Sequence, residues 1–194
     1  TDTLFNLPTS NADRTIFVIV DYVNPEGVTA GVAYGDAAKN ETFGLVASTD
    51  GQLTVQGYGR TNDYKSGTNG VTGGYMLQSV VLSANTTQHF LNGALIDSDT
   101  HTFNTDVKKL ILGAEIGGLG EAQLGLGAVL IYNRALSVTE RQQVEEFLLA
   151  KYITGGTNNA PPVAQNDAFT FTEDTNLAGN VLVNNGAGAD SDPD

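Results

Sequence analysis

The chain has no cysteine, and only nine of its 194 residues are basic. Without cysteine there are no disulfides and no thiolate chemistry, so rigidity must come from a packed core or from bound ions. The nine basic residues face 22 acidic ones, giving a formal net charge of −13. No Lys or Arg follows Lys151, while Asp167, Glu173, Asp174, Asp190, Asp192 and Asp194 do. That balance opposes binding to nucleic acid and to anionic membrane surfaces. It is compatible with divalent cations and with neutral sugars, and equally with acidity that serves solubility. No apolar run approaches the roughly 18 residues of a membrane span, so no membrane insertion is expected.

What is present is enough for a core. The chain is 40% hydrophobic, and a domain of this size buries roughly 70% of its unfolded surface. Arg14–Val23 (RTIFVIVDYV) is too continuously apolar for an exposed strand and reads as a central one. Thr42–Ala47 and Gln52–Gln56 flank Asp50-Gly51, and Gln88–Leu91 and Ala94–Asp97 flank Asn92-Gly93. Asn-Gly is a strong hairpin signal because both turn residues take positive φ. Met76–Ser83, Lys109–Leu112 and Gln123–Tyr132 supply further strands. Strands and turns alternating in this way, with 23 glycines spread throughout, predict an all-β, two-sheet antiparallel jelly-roll sandwich.

One segment follows a helical period. In SVTERQQVEEFLLAKY, Ser137 and Glu140 form a capping-box pair, and Val144, Phe147, Leu148 and Tyr152 share one face. Lys151 suits the negative end of the helix dipole, and Gly155-Gly156 ends the helix. A short C-terminal amphipathic helix should therefore lie against the sandwich, with Glu145 and Glu146 in solvent. Gly155–Pro162 (GGTNNAPP) is a linker by composition. The expected organisation is a domain at 1–154, a linker at 155–165 and a second segment at 166–194.

Several strings in order resemble the laminin-G-like branch of the concanavalin-A-like lectin/glucanase superfamily. They are Leu7-Pro8 with Arg14-Thr15-Ile16, Gly31-Val-Ala-Tyr34-Gly35, Phe43-Gly44-Leu45, Gly51-Gln-Leu53-Thr-Val55 and His89-Phe-Leu-Asn92-Gly93. The most specific is Leu130-Ile-Tyr132-Asn133-Arg134-Ala135-Leu136-Ser137 with Glu140-Arg141, Phe147-Leu148 and Lys151-Tyr152. The resemblance implies a jelly roll that is often secreted, often binds sugar or protein, and often carries calcium. The tail, through Asn159-Ala-Pro-Pro162, Asn166-Asp167, Thr172-Glu173-Asp174 and Leu177-Ala-Gly179-Asn180-Val181-Leu182, resembles the opening of bacterial cadherin-like adhesin repeats. That implies a chain continuing into further domains at a bacterial cell surface, with calcium stiffening the junctions.

Catalytic machinery is not evident. Superfamily glucanases carry Glu-x-Asp-x-x-Glu on one strand, and no glutamate here is followed two places on by Asp. No Ser/His/Asp spacing stands out, so the protein is expected not to be an enzyme. For calcium, hard cations want several loop oxygens; Asp97 and Asp99 are candidates, against the reading of an exposed polar loop. By the adhesin resemblance Glu173, Asp174, Asp190 and Asp192 are better ones. Asp21, inside an apolar strand, needs a partner of some kind. For sugar, Tyr58, Arg60, Asn62, Asp63 and Tyr64 combine aromatic faces with hydrogen-bonding forks in seven residues of loop beside glycine. The alternative is that the two tyrosines pack on strand ends and Arg60 pairs with Asp63. The expected function is a non-catalytic carbohydrate-binding module of a large secreted or surface adhesin, with a glycan or glycoprotein ligand on a cell surface. A stalk spacer that binds nothing is the alternative, and a degenerate glycoside hydrolase a third reading.

Overall fold

Alternation along the strands builds two sheets that share one core. The computed structural model describes residues 6–24, 27–59, 61–106, 108–118, 123–154 and 173–174. Strands β1 (Arg14–Asn24), β6 (Met76–Ser83), β7 (Thr86–Leu91), β8 (Ala94–Thr100) and β10 (Gln123–Tyr132) make one sheet in the order β10-β1-β6-β7-β8. Strands β2 (Thr29–Gly35), β3 (Thr42–Ala47), β4 (Gln52–Gln56), β5 (Asp63–Asn69) and β9 (Lys109–Leu112) make the other, ordered β5-β4-β3-β2-β9. All pairings are antiparallel. Successive side chains point to opposite faces, so Ile16, Val18, Val32, Tyr34, Phe43, Leu45, Leu53, Val55, Val80 and Leu82 meet between the sheets.

β1 is buried on both faces, which explains its unbroken apolar run. Its other row, Phe17 and Ile19, packs with Leu77, Leu136 and Leu148 beneath helix α1 (Val138–Tyr152). Burying Leu148 alone contributes about 2 kcal/mol. The helix starts where its cap dictates. Ser137 Oγ accepts from the Glu140 N–H at 3.3 Å, and Glu140 Oε2 accepts from the Ser137 N–H at 2.9 Å. Arg134 grips the same carboxylate at 2.8 and 3.0 Å; that hydrogen bond first, then those from Ser137, draw its pKa down to about 2.

Val144, Leu148 and Tyr152 of the expected face pack against the sandwich, but Phe147 does not. Phe147 points to solvent, 60% exposed, and the buried row is Arg141, Glu145 and Leu148. Glu145, expected in water, is buried because it has partners. Ser79 Oγ donates to it at 2.6 Å, and Arg141 pairs with it while stacking 3.8 Å above the Phe90 ring. Two loop readings also change. Asp97 and Asp99 lie within edge strand β8, and Asp63 and Tyr64 open edge strand β5. The Asn-Gly turn is as expected, with φ of 49° at Asn92 and 82° at Gly93.

The chain divides into two compact units, Thr1–Thr154 and Gly155–Asp194. Of the second, Glu173 and Asp174 are described, both exposed in a turn. The 155–165 linker, the rest of the cadherin-like segment, Asp190, Asp192 and Arg60 lie outside the described residues. No helix among the described residues is long and apolar enough to cross a membrane.

Candidate functional site

The 57–62 turn is built inward. Gly57 N–H donates to Asn62 O at 2.8 Å and Asn62 N–H to Gly59 O at 2.7 Å, closing the turn on itself. Tyr58 takes a left-handed backbone, φ 69°, and its ring lies on Gly117, where any side chain would collide with the phenol. Asn62, 7% exposed, donates to Tyr58 O at 3.1 Å, and Asp63 Oδ1 accepts from Tyr58 N–H at 3.1 Å. Tyr64 hydrogen-bonds His101 Nδ1, whose Nε2 faces Asn40 Oδ1 at 3.0 Å. With Phe103 these rings close one end of the core. The structure therefore brings Tyr58, Asn62 and Asp63 together as one folded turn. Tyr64 points to the opposite face of its sheet, against the core.

The concave feature nearby lies on the outer face of the β5-β4-β3-β2-β9 sheet. It is a cleft of about 760 Å³, floored by Val28 and Val46 and walled by Thr54, Gln56, Asp63 and Lys65. Strand alternation explains the wall. In β4, Leu53 and Val55 enter the core, so Thr54 and Gln56 face outward. Gln56 and Asp63 are direct partners across the β4–β5 pairing, which puts both on one face. Gln56 Nε2 donates to Glu115 Oε1 at 2.8 Å, but Gln56 Oε1 is buried without a partner. A buried acceptor left unmet costs about 1–3 kcal/mol. The Asp63 carboxyl is raised above its ordinary range, chiefly by burial and further by the Glu115 charge; the N–H groups of Tyr58 and Gly57 oppose this. Lys65 is engaged with Asp50 at 2.7 Å. Chemically, the cleft offers an apolar floor and an excess of acceptors.

Of the residues singled out in the sequence, Asp63 lines this cleft. Gln56, Thr54 and Glu115 were missed. The polar alternation of Gln52, Thr54 and Gln56 in QLTVQ was the available signal for the first two; Glu115 arrives from a distant loop and gave none.

The metal candidates separate. Asp97 and Asp99, two apart on β8, share one face, and Asp99 Oδ1 accepts from the Thr100 N–H at 2.7 Å. Among the described residues one acidic triple converges, Asp36, Glu41 and Asp106, with ligand atoms within 4.8 Å of one another. Lys108 lies across two of the three, 2.5 Å from Asp36 and 3.2 Å from Asp106, and offsets one of their charges. Asp97 and Asp99 are not among the acids that converge.

No family model matches the chain, and no curated protein matches it. Solved structures do resemble it. A Trypanosoma rangeli sialidase aligns at TM-score 0.55 and 16% identity over 70% of this chain and 23% of its own. The binding domain of paraclostridial mosquitocidal protein 1 gives 0.53 and 14%, over 73% and 38%. The Ruminococcus gnavus IT-sialidase CBM40 bound to α2,6 sialyllactose gives 0.50 and 17%, over 69% and 83%. The chain thus spans about a quarter of the sialidase's length. At these identities the likeness is one of fold alone, a two-sheet antiparallel β-sandwich.

Proposed function

We propose that this protein is a non-catalytic carbohydrate-binding and adhesion module that takes its glycan in the cleft over β3, β4 and β5. The observation that carries this is the cleft itself, an apolar floor of Val28 and Val46 within a wall of Thr54, Gln56, Asp63 and Lys65. Sugars suit such a site, since they present hydroxyl donors on one edge and C–H faces on the other. The sialyllactose-bound CBM40 neighbour supports the reading by analogy of fold. Asp63 is the contact carried over from the sequence-derived set together with Arg60, which lies outside the described residues; Tyr58 and Asn62 hold the turn that positions Asp63. The laminin-G-like assignment, the bacterial surface or secreted setting, the glycan or glycoprotein partner on a cell surface and the cadherin-like continuation belong to the same proposal. So does calcium, assigned here to Glu173, Asp174, Asp190 and Asp192 of the second unit.

The test is a glycan array with the full chain, with and without calcium, beside Gln56→Leu. Binding that the variant loses is expected; a blank array under both conditions would end the carbohydrate reading. The inward-turned Tyr58, Asn62 and Tyr64 favour a second reading, a stalk spacer without ligand, and a blank array would leave that one standing. Turnover of any glycoside would overturn the non-catalytic part.

A further inference from the structure

We infer that the chain pairs with a second copy of itself along β10, each copy setting its Tyr75 into the groove between β10 and α1 of the other. β10 is the outermost strand of its sheet, and among the described residues no strand pairs with its outer side. Such an edge presents a row of free N–H and C=O groups, which proteins commonly blunt with charge. The opposite edge of the sandwich is blunted in that way: β8 carries Asp97 and Asp99, and β5 carries Asp63 and Lys65. β10, QLGLGAVLIY, has no charged residue, and none of its 10 residues is buried. Edge strand β9 ends on the same side, with Leu124 of β10 against Gly113, and leaves Leu112 50% exposed. Two chains of net charge −13 can approach along β10 without setting like charges face to face.

A bulge sets the register. Ile19 pairs with Ala128 and Val20 with Leu126, which leaves Gly127 extra. Leu124, Leu126, Val129 and Ile131 then all face the inter-sheet core, while Ala128, Leu130 and Tyr132 face the helix. A two-fold axis normal to the sheet keeps faces together, so opposed residues must share one. End-to-end antiparallel pairing meets that demand: Leu124 opposes Ile131 of the second copy, Leu126 opposes its Val129, and Gly125 opposes its Leu130. Without the extra residue the same overlap would set inward residues against outward ones. Tyr75 supplies the anchor. It is 45% exposed, and its phenol lies on the helix side of Gly125, where any side chain would collide with it. The pairing carries that ring onto Leu130 of the second copy, which with Tyr132, Val144 and the exposed Phe147 lines a groove of about 460 Å³. A tyrosine in an apolar groove is a common centre of binding energy. At about 3.4 Å per residue and about 20 Å across the sheets and helix, the edge offers about 700 Å² per copy, or about 1,400 Å² in all, within the range of stable interfaces. The cleft over β3, β4 and β5 lies toward the other edge, so both copies keep theirs open.

The experiment is sedimentation equilibrium of the full chain from about 1 μM to about 500 μM, with amide hydrogen exchange at both ends of that range. A monomer–dimer equilibrium is expected. Tyr75→Ala and Phe147→Ala, from the two sides of one contact, should each weaken the dimer about thirtyfold. Leu95→Ala, 53% exposed on the opposite edge, should leave it unaltered. The alternate β10 amides not bonded to β1 should gain protection as concentration rises, and those of β8 should not. Native amide dispersion of each variant at the low concentration separates lost pairing from lost folding; if Tyr75→Ala unfolds the chain, Phe147→Ala decides. A monomer throughout the range overturns the inference. So does a dimer that both folded variants leave intact, or β10 protection that is the same at every concentration, which would mean the edge is already paired within one chain.

Discussion

At the scale of single residues, the interior holds polar groups that sequence patterns do not announce. His89 is 1% exposed between the sheets. Its Nε2 accepts from Gln78 Nε2 at 2.9 Å, while Gln78 Oε1 accepts from the Tyr22 hydroxyl, also at 2.9 Å. Burial pushes the His89 pKa down from 6.5 to about 4. The unfolded chain therefore takes up the proton first as pH falls. Stability from neutral His89 is complete above pH about 6.5 and is lost between there and pH about 4, about 3 kcal/mol in all. Urea unfolding across that window should show the loss, and His89→Gln should flatten it; an equally steep profile in the variant would assign the loss to other groups. Glu145 makes a second case. Glu145→Ala strands the Arg141 guanidinium under the helix and should cost about 3–5 kcal/mol. Glu145→Gln, which still accepts from Ser79, should cost less. Equal losses in the two would remove charge from the explanation.

At the scale of elements, what was legible was local. The capping box and the Asn92-Gly93 turn could be read because their geometry is written within four residues. The alternating strands could be read because their period is two. The burial of Arg141 and Glu145 under α1 could not, because it depends on Phe90 and Ser79, distant in sequence, receiving them. β5 was not legible either: DYKSGTN has no β-branched run, and its strand state comes from pairing with β4. The same tertiary dependence hid the cleft, since Glu115 reaches Gln56 across 59 positions. The helix orientation has a direct test in unfolding free energies. Leu148→Ala should cost about 2–5 kcal/mol and Phe147→Ala no more than about 0.5 kcal/mol; the reverse order would put Phe147 rather than Leu148 under the helix.

At the scale of the whole molecule, topology governs assembly. β1, near the start of the first unit, is completed by β10, near its end, through a register running from Thr15–Tyr132 to Asn24–Gln123. The first sheet therefore lacks an edge until most of the unit exists. Sandwiches dominated by such pairings fold in about milliseconds to seconds. Stopped-flow refolding should fall in that range, and a chain ending before β10 should give the collapsed amide dispersion of an unfolded protein; native dispersion would show that β10 is dispensable.

The Asn92-Gly93 turn also sets a chemical clock. An asparagine followed by glycine is open to attack by the glycine nitrogen on its own side-chain carbon. The product includes isoaspartate, which lengthens the main chain by one methylene. Here the reacting amide is also a structural tie: Leu77 N–H donates to Asn92 Oδ1, and Asn92 N–H donates to Leu77 O, both at 2.8 Å. Ageing at this one peptide would thus loosen the end of the hairpin that is tied to Leu77, beside the β6–β7 ladder. A slow mass shift in the peptide holding Asn92, distinct from those at the other Asn-Gly pairs, Asn69-Gly70 and Asn185-Gly186, would mark its passage.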